Sequence, residues 1–367
     1  MGGADAGSAP TATGRSGGRD HGGAGMKSRL LELDAIRGLA AVVVVLYHYF
    51  YRYHEIYGHA GLPYQWAQAG QYGVQLFFMV SGFVIFWTLA RIEKPADFIV
   101  SRFSRLYPAY WASVTLTFFA VGYVGLPGRE VHWLQAVGNG LMFHEYLRIP
   151  HVDGVYWTLT VELTFYFWIF LLYLLGLLKR VEYCLLPVVA LTALQGLGLV
   201  SLPSAINKLL LVQQLPFFLA GIGFYKLVHG ERSAVVLFAI GFSWLAALAD
   251  FSVQRLAAYS LCYLLFYLAV SGRLALLATR PLIFLGGISY ALYLLHQNIG
   301  YLVIQAFYAG GLPPLAGIGL ALAISLLLAT LLTHCVERPA IRWIRELYAN
   351  SAALQRLAGR LRPAGGA

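Results

Sequence analysis

Residues 33–50 read LDAIRGLAAVVVVLYHYF, and this stretch decides the class of fold. Eighteen mostly apolar residues in a row are close to the ~20 that a helix needs to cross a hydrocarbon core. Within the run stand an arginine, Arg37, and a histidine, His48. Ionisable side chains at membrane depth are costly and mark functional sites by default. The two lie eleven positions apart, so at 3.6 residues per turn they point about 20° apart around the helix and about 16 Å apart along it. Both therefore face one groove, Arg37 near the inner end and His48 nearer the outer face. The competing reading is an arginine snorkelling to the headgroups and a histidine hydrogen-bonded within the bundle.

The rest of the chain has the same character. Of its 367 residues, 59% are hydrophobic and 11% are charged, with mean hydropathy +0.67. A soluble domain carries about 25% charged residues, so lipid is the expected solvent. About ten spans are expected, at roughly 35–53, 71–90, 107–126, 155–178, 183–200, 207–228, 233–250, 255–272, 286–308 and 314–336. The expected class is thus an all-α integral membrane protein. With the N-terminus inside, fifteen Lys and Arg, from Lys27 to Arg345, fall on the cytoplasmic side. Arg52, Arg129, Arg148, Lys208 and Arg255 fall outside. That bias predicts cytoplasmic termini and accounts for the net charge of +10 without nucleic acid. Cys184, Cys262 and Cys335 have no paired spacing, so neither a disulfide framework nor a metal site is expected.

Residues 1–30 lack an apolar region and are expected to be a disordered tail rather than a signal peptide. Met26 is an alternative start to Met1. Residues 31–345 form the expected membrane domain, and 346–367 a basic cytoplasmic tail. The connection at 127–154 holds His132, His144, Glu145, Arg148, His151 and Asp153 without metal-ligand spacing, and is expected to be solvated outer surface.

Further polar groups sit inside the spans. YWTLTVELTFYF, 156–167, enters from outside, which puts Glu162 about 10 Å deep, on the level of His48. A carboxylate there would fix an imidazole tautomer and stabilise its charged form, tuning a general base; a structural ion pair is the alternative. In QYGVQLFFMVSGFVIF, 71–86, Ser81-Gly82 is either a helix-packing patch or cavity lining. Arg102 and Arg105 of SRFSRLYPAYW, 101–111, lie on one face just before a span. They suit either headgroup anchoring or bidentate grip on phosphate. GISYALYLLHQN, 287–298, carries Tyr290, Tyr293, His296 and Asn298 at middle depth, facing the bundle interior.

Taken in order, LDAIRGLAAVVVVLYH (33–48), GVQLFFMVSGFVIF (73–86), SRFSRLYP (101–108), YWTLTVELTFY (156–166), ISYALYLLH (288–296) and VERPAIRW (336–343) resemble the bacterial membrane acyltransferase-3 family. The likeness runs from 31 to about 345. It implies an O-acyltransferase of the inner membrane, moving an acyl group, expected to be acetyl, from acyl-CoA to a sugar hydroxyl of an exopolysaccharide or other surface glycan. The resemblance matches Arg37 and His48 to a functional Arg–His pair and Glu162 to the acidic position after the Trp-Thr-Leu motif. It matches Ser81 to a Ser-Gly-Phe motif, and Arg102 and Arg105 to a basic motif facing the donor. Position 103 is Phe and 101 is Ser, where relatives often carry further arginines. Some relatives append a soluble hydrolase-like domain, for which the tail after 345 is too short. Direct acylation of the acceptor, or a hand-over to a separate polysaccharide-assembly partner, is then expected. The expected partners are acyl-CoA, a lipid-linked or nascent glycan and membrane lipid, with no permanently bound cofactor. A secondary transporter and a non-catalytic assembly subunit are the other classes compatible with such a sequence.

Overall fold

The structure, a computed structural model, describes residues 21–59, 61–92 and 94–360. It is helical throughout, with no strand among the described residues. The long helices are α1 (His21–Leu46), α2 (Gly73–Leu89), α3 (Pro95–Val124), α4 (Trp157–Leu174) and α5 (Val181–Gly196). They continue with α6 (Leu215–Val228), α7 (Ala234–Ala247), α8 (Val253–Val270), α9 (Arg280–Ala309) and α10 (Pro314–Leu332). A helix overlaps each of the ten expected spans, with bounds that differ by up to fourteen residues. Among the described residues, six helical stretches are long and apolar enough to cross a membrane: Leu31–Tyr57, Gln65–Leu89, Gly154–Leu174, Val253–Val270, Arg280–Ala309 and Pro314–Asn350. Helices α6 and α7, with 14 residues each, rise about 21 Å, short of a ~30 Å hydrocarbon core.

Of the expected disordered tail, residues 1–20 lie outside the described residues, while α1 carries helical backbone back to His21. The C-terminal segment is helical at Arg338–Asn350 and Ala352–Arg360.

Two close crossings hold the polar residues in place. Helix α1 packs on α9 through Gly38 and Gly286. A β-carbon would lie 2.2 Å from Leu282 O at the first and 2.0 Å from Asp34 O at the second. Helix α2 packs on α6 in the same way, through Gly82 (2.2 Å from Phe218 O) and Gly221 (2.1 Å from Met79 O). In lipid, where apolar surface gains nothing by helix association, such backbone contact through small residues supplies the packing energy. Gly82 is therefore a packing residue, and its neighbour Ser81 is left to line a cavity.

Candidate active site

Helix α1 does not stop at Leu46. Residues Tyr47–Arg52 form a turn of π-helix that runs on into Tyr53–Tyr57, a distortion frequent at functional sites. Tyr49 anchors this turn: its hydroxyl lies 2.7 Å from Ser325 Oγ and donates to His296 O at 2.9 Å. His48 and Arg52 from the same turn line a cavity of about 960 Å³, on the side that the Lys and Arg bias expects to be outer, with Gln71, Gln75, Arg129, Trp157, Gln195, Gln213, Arg255 and Gln297.

Hydrogen bonding sets the tautomer of His48. Its Nδ1 is 2.9 Å from Val44 O, and a carbonyl only accepts, so Nδ1 carries the proton. The same reasoning applies to His296, whose Nδ1 is 2.9 Å from Tyr293 O and 3.1 Å from Leu292 O. Its Nε2 is then the acceptor, 3.1 Å from His48 Nδ1. The rings meet edge to face with centroids 4.8 Å apart. His48 Nε2 keeps a lone pair, and no described residue hydrogen-bonds to it. That nitrogen is the one available for a substrate proton.

A second cavity of about 170 Å³, towards the side expected to be inner, is lined by Arg37, Ser81, Arg102, Arg105, Glu162, Tyr166, Ser289 and Tyr290. Arg37 donates to Asp34 Oδ1 at 3.1 Å and to Ser289 Oγ at 3.0 Å. Glu162 Oε1 accepts from Ser81 Oγ at 2.8 Å and from Tyr166. Arg102 donates to Ser101 Oγ, but its buried Nε has no partner among the described residues. Arg105 makes no ion pair there either. The two cavities share Val74 and Tyr293 in their walls. The Tyr293 hydroxyl donates to Val155 O at 3.2 Å and accepts from Thr158 at 2.9 Å, which pins this divider to α4.

The structure thus gathers Arg37, Ser81, Arg102, Arg105 and Glu162 around one cavity and puts His48 in the other. The imidazole–carboxylate contact expected from equal depth is not formed: His48 is partnered by Val44 and His296, and Glu162 by Ser81 and Tyr166. Counting residues gives height along a helix axis, not which neighbour the side chain meets. His296 is the residue that sequence reasoning left without a role. Its placement in the polar run 290–298 was the available signal, and its contact with His48 is purely tertiary.

The connection at 127–154 is only partly the expected solvated surface: His132 and Arg148 are exposed, and two other polar residues are not. His144 and Asp153 are fully buried. His144 Nε2 is 2.7 Å from His151 Nδ1, and burial with the neighbouring His151 lowers the His144 pKa to about 4. Asp153 accepts from Val155 N through Oδ1 and Asn298 N through Oδ2, while burial raises its pKa to about 7. Asn139 knits the segment by bonding Gln135 O, Pro150 O and Val152 N. Backbone polar groups of a long connection packed on the bundle need such internal partners. Among the described residues, no three His, Cys, Asp or Glu side chains converge as a ligand set.

A family model for an acyltransferase domain matches residues 30–334. The chain belongs to this acyltransferase family. It is 29% identical over 187 residues to the peptidoglycan O-acetyltransferase OatA of Listeria monocytogenes, which covers 46% of this chain and 27% of OatA. Nodulation protein 10 of Rhizobium leguminosarum is 30% identical over 112 residues, 26% of this chain and 30% of that protein. The exopolysaccharide production protein ExoZ of Rhizobium meliloti is 33% identical over 105 residues, 26% of this chain and 32% of ExoZ. The chain thus spans about a third or less of each of these relatives. No solved structure matches it. The chain thus carries an acyltransferase-family domain with several helices long and apolar enough to cross a membrane.

Proposed function

We propose that this acyltransferase moves an acyl group, acetyl in the first instance, from acyl-CoA to a hydroxyl of a surface or lipid-linked glycan, in an inner membrane with both termini cytoplasmic. The observation that carries the reading is the tautomer of His48, whose free Nε2 belongs to a residue lining a cavity wide enough for a sugar. CoA phosphates would bind Arg102 and Arg105 by charge-assisted contacts, with the thioester reaching the inner cavity at Ser81, Glu162 and Arg37. The acceptor hydroxyl would enter the outer cavity and give its proton to His48 Nε2. The resulting oxygen attacks the thioester carbonyl, the C–S bond breaks as the ester C–O bond forms, and the imidazolium returns its proton to the CoA thiolate. Glu162, among the charges acting on both Arg37 and Arg102, serves the donor side in this scheme.

The names of OatA and ExoZ, a peptidoglycan O-acetyltransferase and an exopolysaccharide production protein, support a polysaccharide acceptor. A thioester is a sufficient donor by itself. A secondary transporter would use similar interior charges, and family membership counts against it. Purified protein incubated with labelled acetyl-CoA and a panel of glycans tests the proposal. Ester formation that is lost in His48→Ala supports it; hydrolysis or transfer unchanged in a folded His48→Ala protein defeats it.

A further inference from the structure

Three arginines line the outer cavity, and two are neutralised where they stand. Arg52 Nη1 lies 2.7 Å from Glu55 Oε2, and Arg255 pairs with Asp250. Arg129 is different. Among the described residues no carboxylate oxygen comes within ion-pair distance of it. Glu130 accepts instead from Leu126 N at 3.1 Å. Asp153 has both oxygens on backbone N–H groups. The hydroxyl of Tyr57 lies beside the guanidinium, which has no ion-pair partner among the described residues, and the buried Asp153 carboxyl acts on it only at longer range.

The unpaired cation has a built surrounding. At Gly154 a β-carbon would lie 3.0 Å from Gln297 Oε1, 3.1 Å from Gln297 Nε2 and 3.3 Å from Arg129 Nη1. An amide and a guanidinium therefore converge on one spot of the cavity wall, where a β-carbon would sit closer than ordinary contact. Gln297 is 4% exposed, and its Oε1 has no hydrogen-bond partner among the described residues. The buried hydroxyl of Tyr301 lies against the same amide. A buried polar atom without a partner is expensive, and here Gln297 Oε1 stands next to a guanidinium with no ion-pair partner among the described residues. Arg129 and Gln297 Nε2 offer N–H donors to an oxyanion; Gln297 Oε1 accepts from a hydroxyl next to it. Within the lining, three arginines face a single carboxylate, Asp250, so the cavity as a whole favours an anionic guest.

We infer that Arg129 and Gln297, over the gap left by Gly154, form an oxyanion subsite that makes the acceptor an acidic glycan, bearing a carboxylate or a phosphate. This rests on the reading that the outer cavity receives the acceptor. Arg129 is then a specificity-determining residue, apart from the chemistry at His48.

Binding of D-glucose, D-glucuronate and glucose 1-phosphate to the purified full chain, followed by ligand-observed NMR, tests this without any turnover. Wild type is expected to bind at least one of the two anions about tenfold more tightly than glucose, and the favoured anion tells carboxylate from phosphate. Arg129→Gln should remove the preference while leaving glucose binding unchanged. Gly154→Ala, which puts a methyl group in the gap at a position with ordinary backbone angles, should do the same. His48→Ala should keep the preference. Equal binding of all three sugars, binding of none, or a preference that survives both Arg129→Gln and Gly154→Ala overturns the subsite. Absence of acyl transfer with the anion preference intact would fell the proposed reaction and leave the subsite standing.

Discussion

His48 Nδ1 and His296 Nε2 stand 3.1 Å apart, from positions 248 residues apart in the chain. His296 donates through Nδ1 to two carbonyls, and its Nε2 lone pair accepts from His48 Nδ1, so neither nitrogen is left for a substrate proton. It is a positioning residue for His48. His48→Ala is expected to lower transfer by roughly 10²–10⁴-fold, the usual worth of a general base. His296→Leu should lower kcat about tenfold, ~1.4 kcal/mol, with KM for both substrates unchanged. His296→Gln should recover most of that loss, because an amide oxygen can still accept from His48 Nδ1. Steady-state kinetics of the three variants decide this; equal damage from Leu and Gln would make the role one of packing.

Arg102 and Arg105 both line the inner cavity, and the orphaned Arg102 Nε is an open donor there. The double alanine variant should bind acetyl-CoA more weakly, by about 1.5–3 kcal/mol for each charge-assisted hydrogen bond removed. Calorimetry in detergent at low and high salt measures it. Wild-type affinity in the folded double variant would leave the pair as headgroup anchors.

Gly286 and Gly287 are neighbours in α9 with opposite surroundings. A β-carbon at the first would meet Asp34 O at 2.0 Å, and at the second nothing within 4 Å. Gly286→Ala should therefore push α1 from α9 and destabilise the protein by about 1–3 kcal/mol, also spoiling the hydrogen bond between Arg37 and Ser289. Gly287→Ala should be neutral. Thermal midpoints of the two variants, read by size-exclusion chromatography after heating, compare them directly.

The outer connection predicts a pH response. Burial holds His144 neutral with a pKa near 4, against 6.5 unperturbed. Between those values the unfolded chain binds more protons, so this group's contribution to stability falls as pH drops from 6.5 towards 4. Asp153, raised from 3.8 to about 7, runs the other way, stabilising at low pH and losing that contribution as pH rises towards 7. The difference between wild type and His144→Gln isolates the first effect: the variant should lose less stability on acidification. Melting curves at pH 7 and pH 4.5 read it out, and parallel losses would refute it.

Membrane sidedness is testable at two exposed residues. With Cys184, Cys262 and Cys335 replaced, Val137→Cys should react with an impermeant maleimide added to intact spheroplasts. Asn350→Cys should react only after lysis. The reverse pattern would invert the orientation derived from Lys and Arg.

Hydropathy is a sum over neighbours in the chain, so membrane helices and the polar residues embedded in them were legible from residues alone. Arg37, Ser81, Arg102, Arg105 and Glu162 stood out as misfits in apolar surroundings, and they do share one cavity. The order of motifs also sufficed to indicate the family. What residues in a row could not determine was rotation and partnership. Equal depth suggested that His48 meets Glu162. The glycine crossing of α1 on α9, and the π-turn anchored by Tyr49, bring it to His296 instead. Likewise Arg129 lies in a connection whose residues read as solvated surface, and only the folding of that segment over the bundle brings its guanidinium to Gln297 across Gly154. Distances along a helix axis follow from residue count, whereas the facing of one helix on another depends on which backbone atoms can touch, and that is decided between segments far apart in the chain.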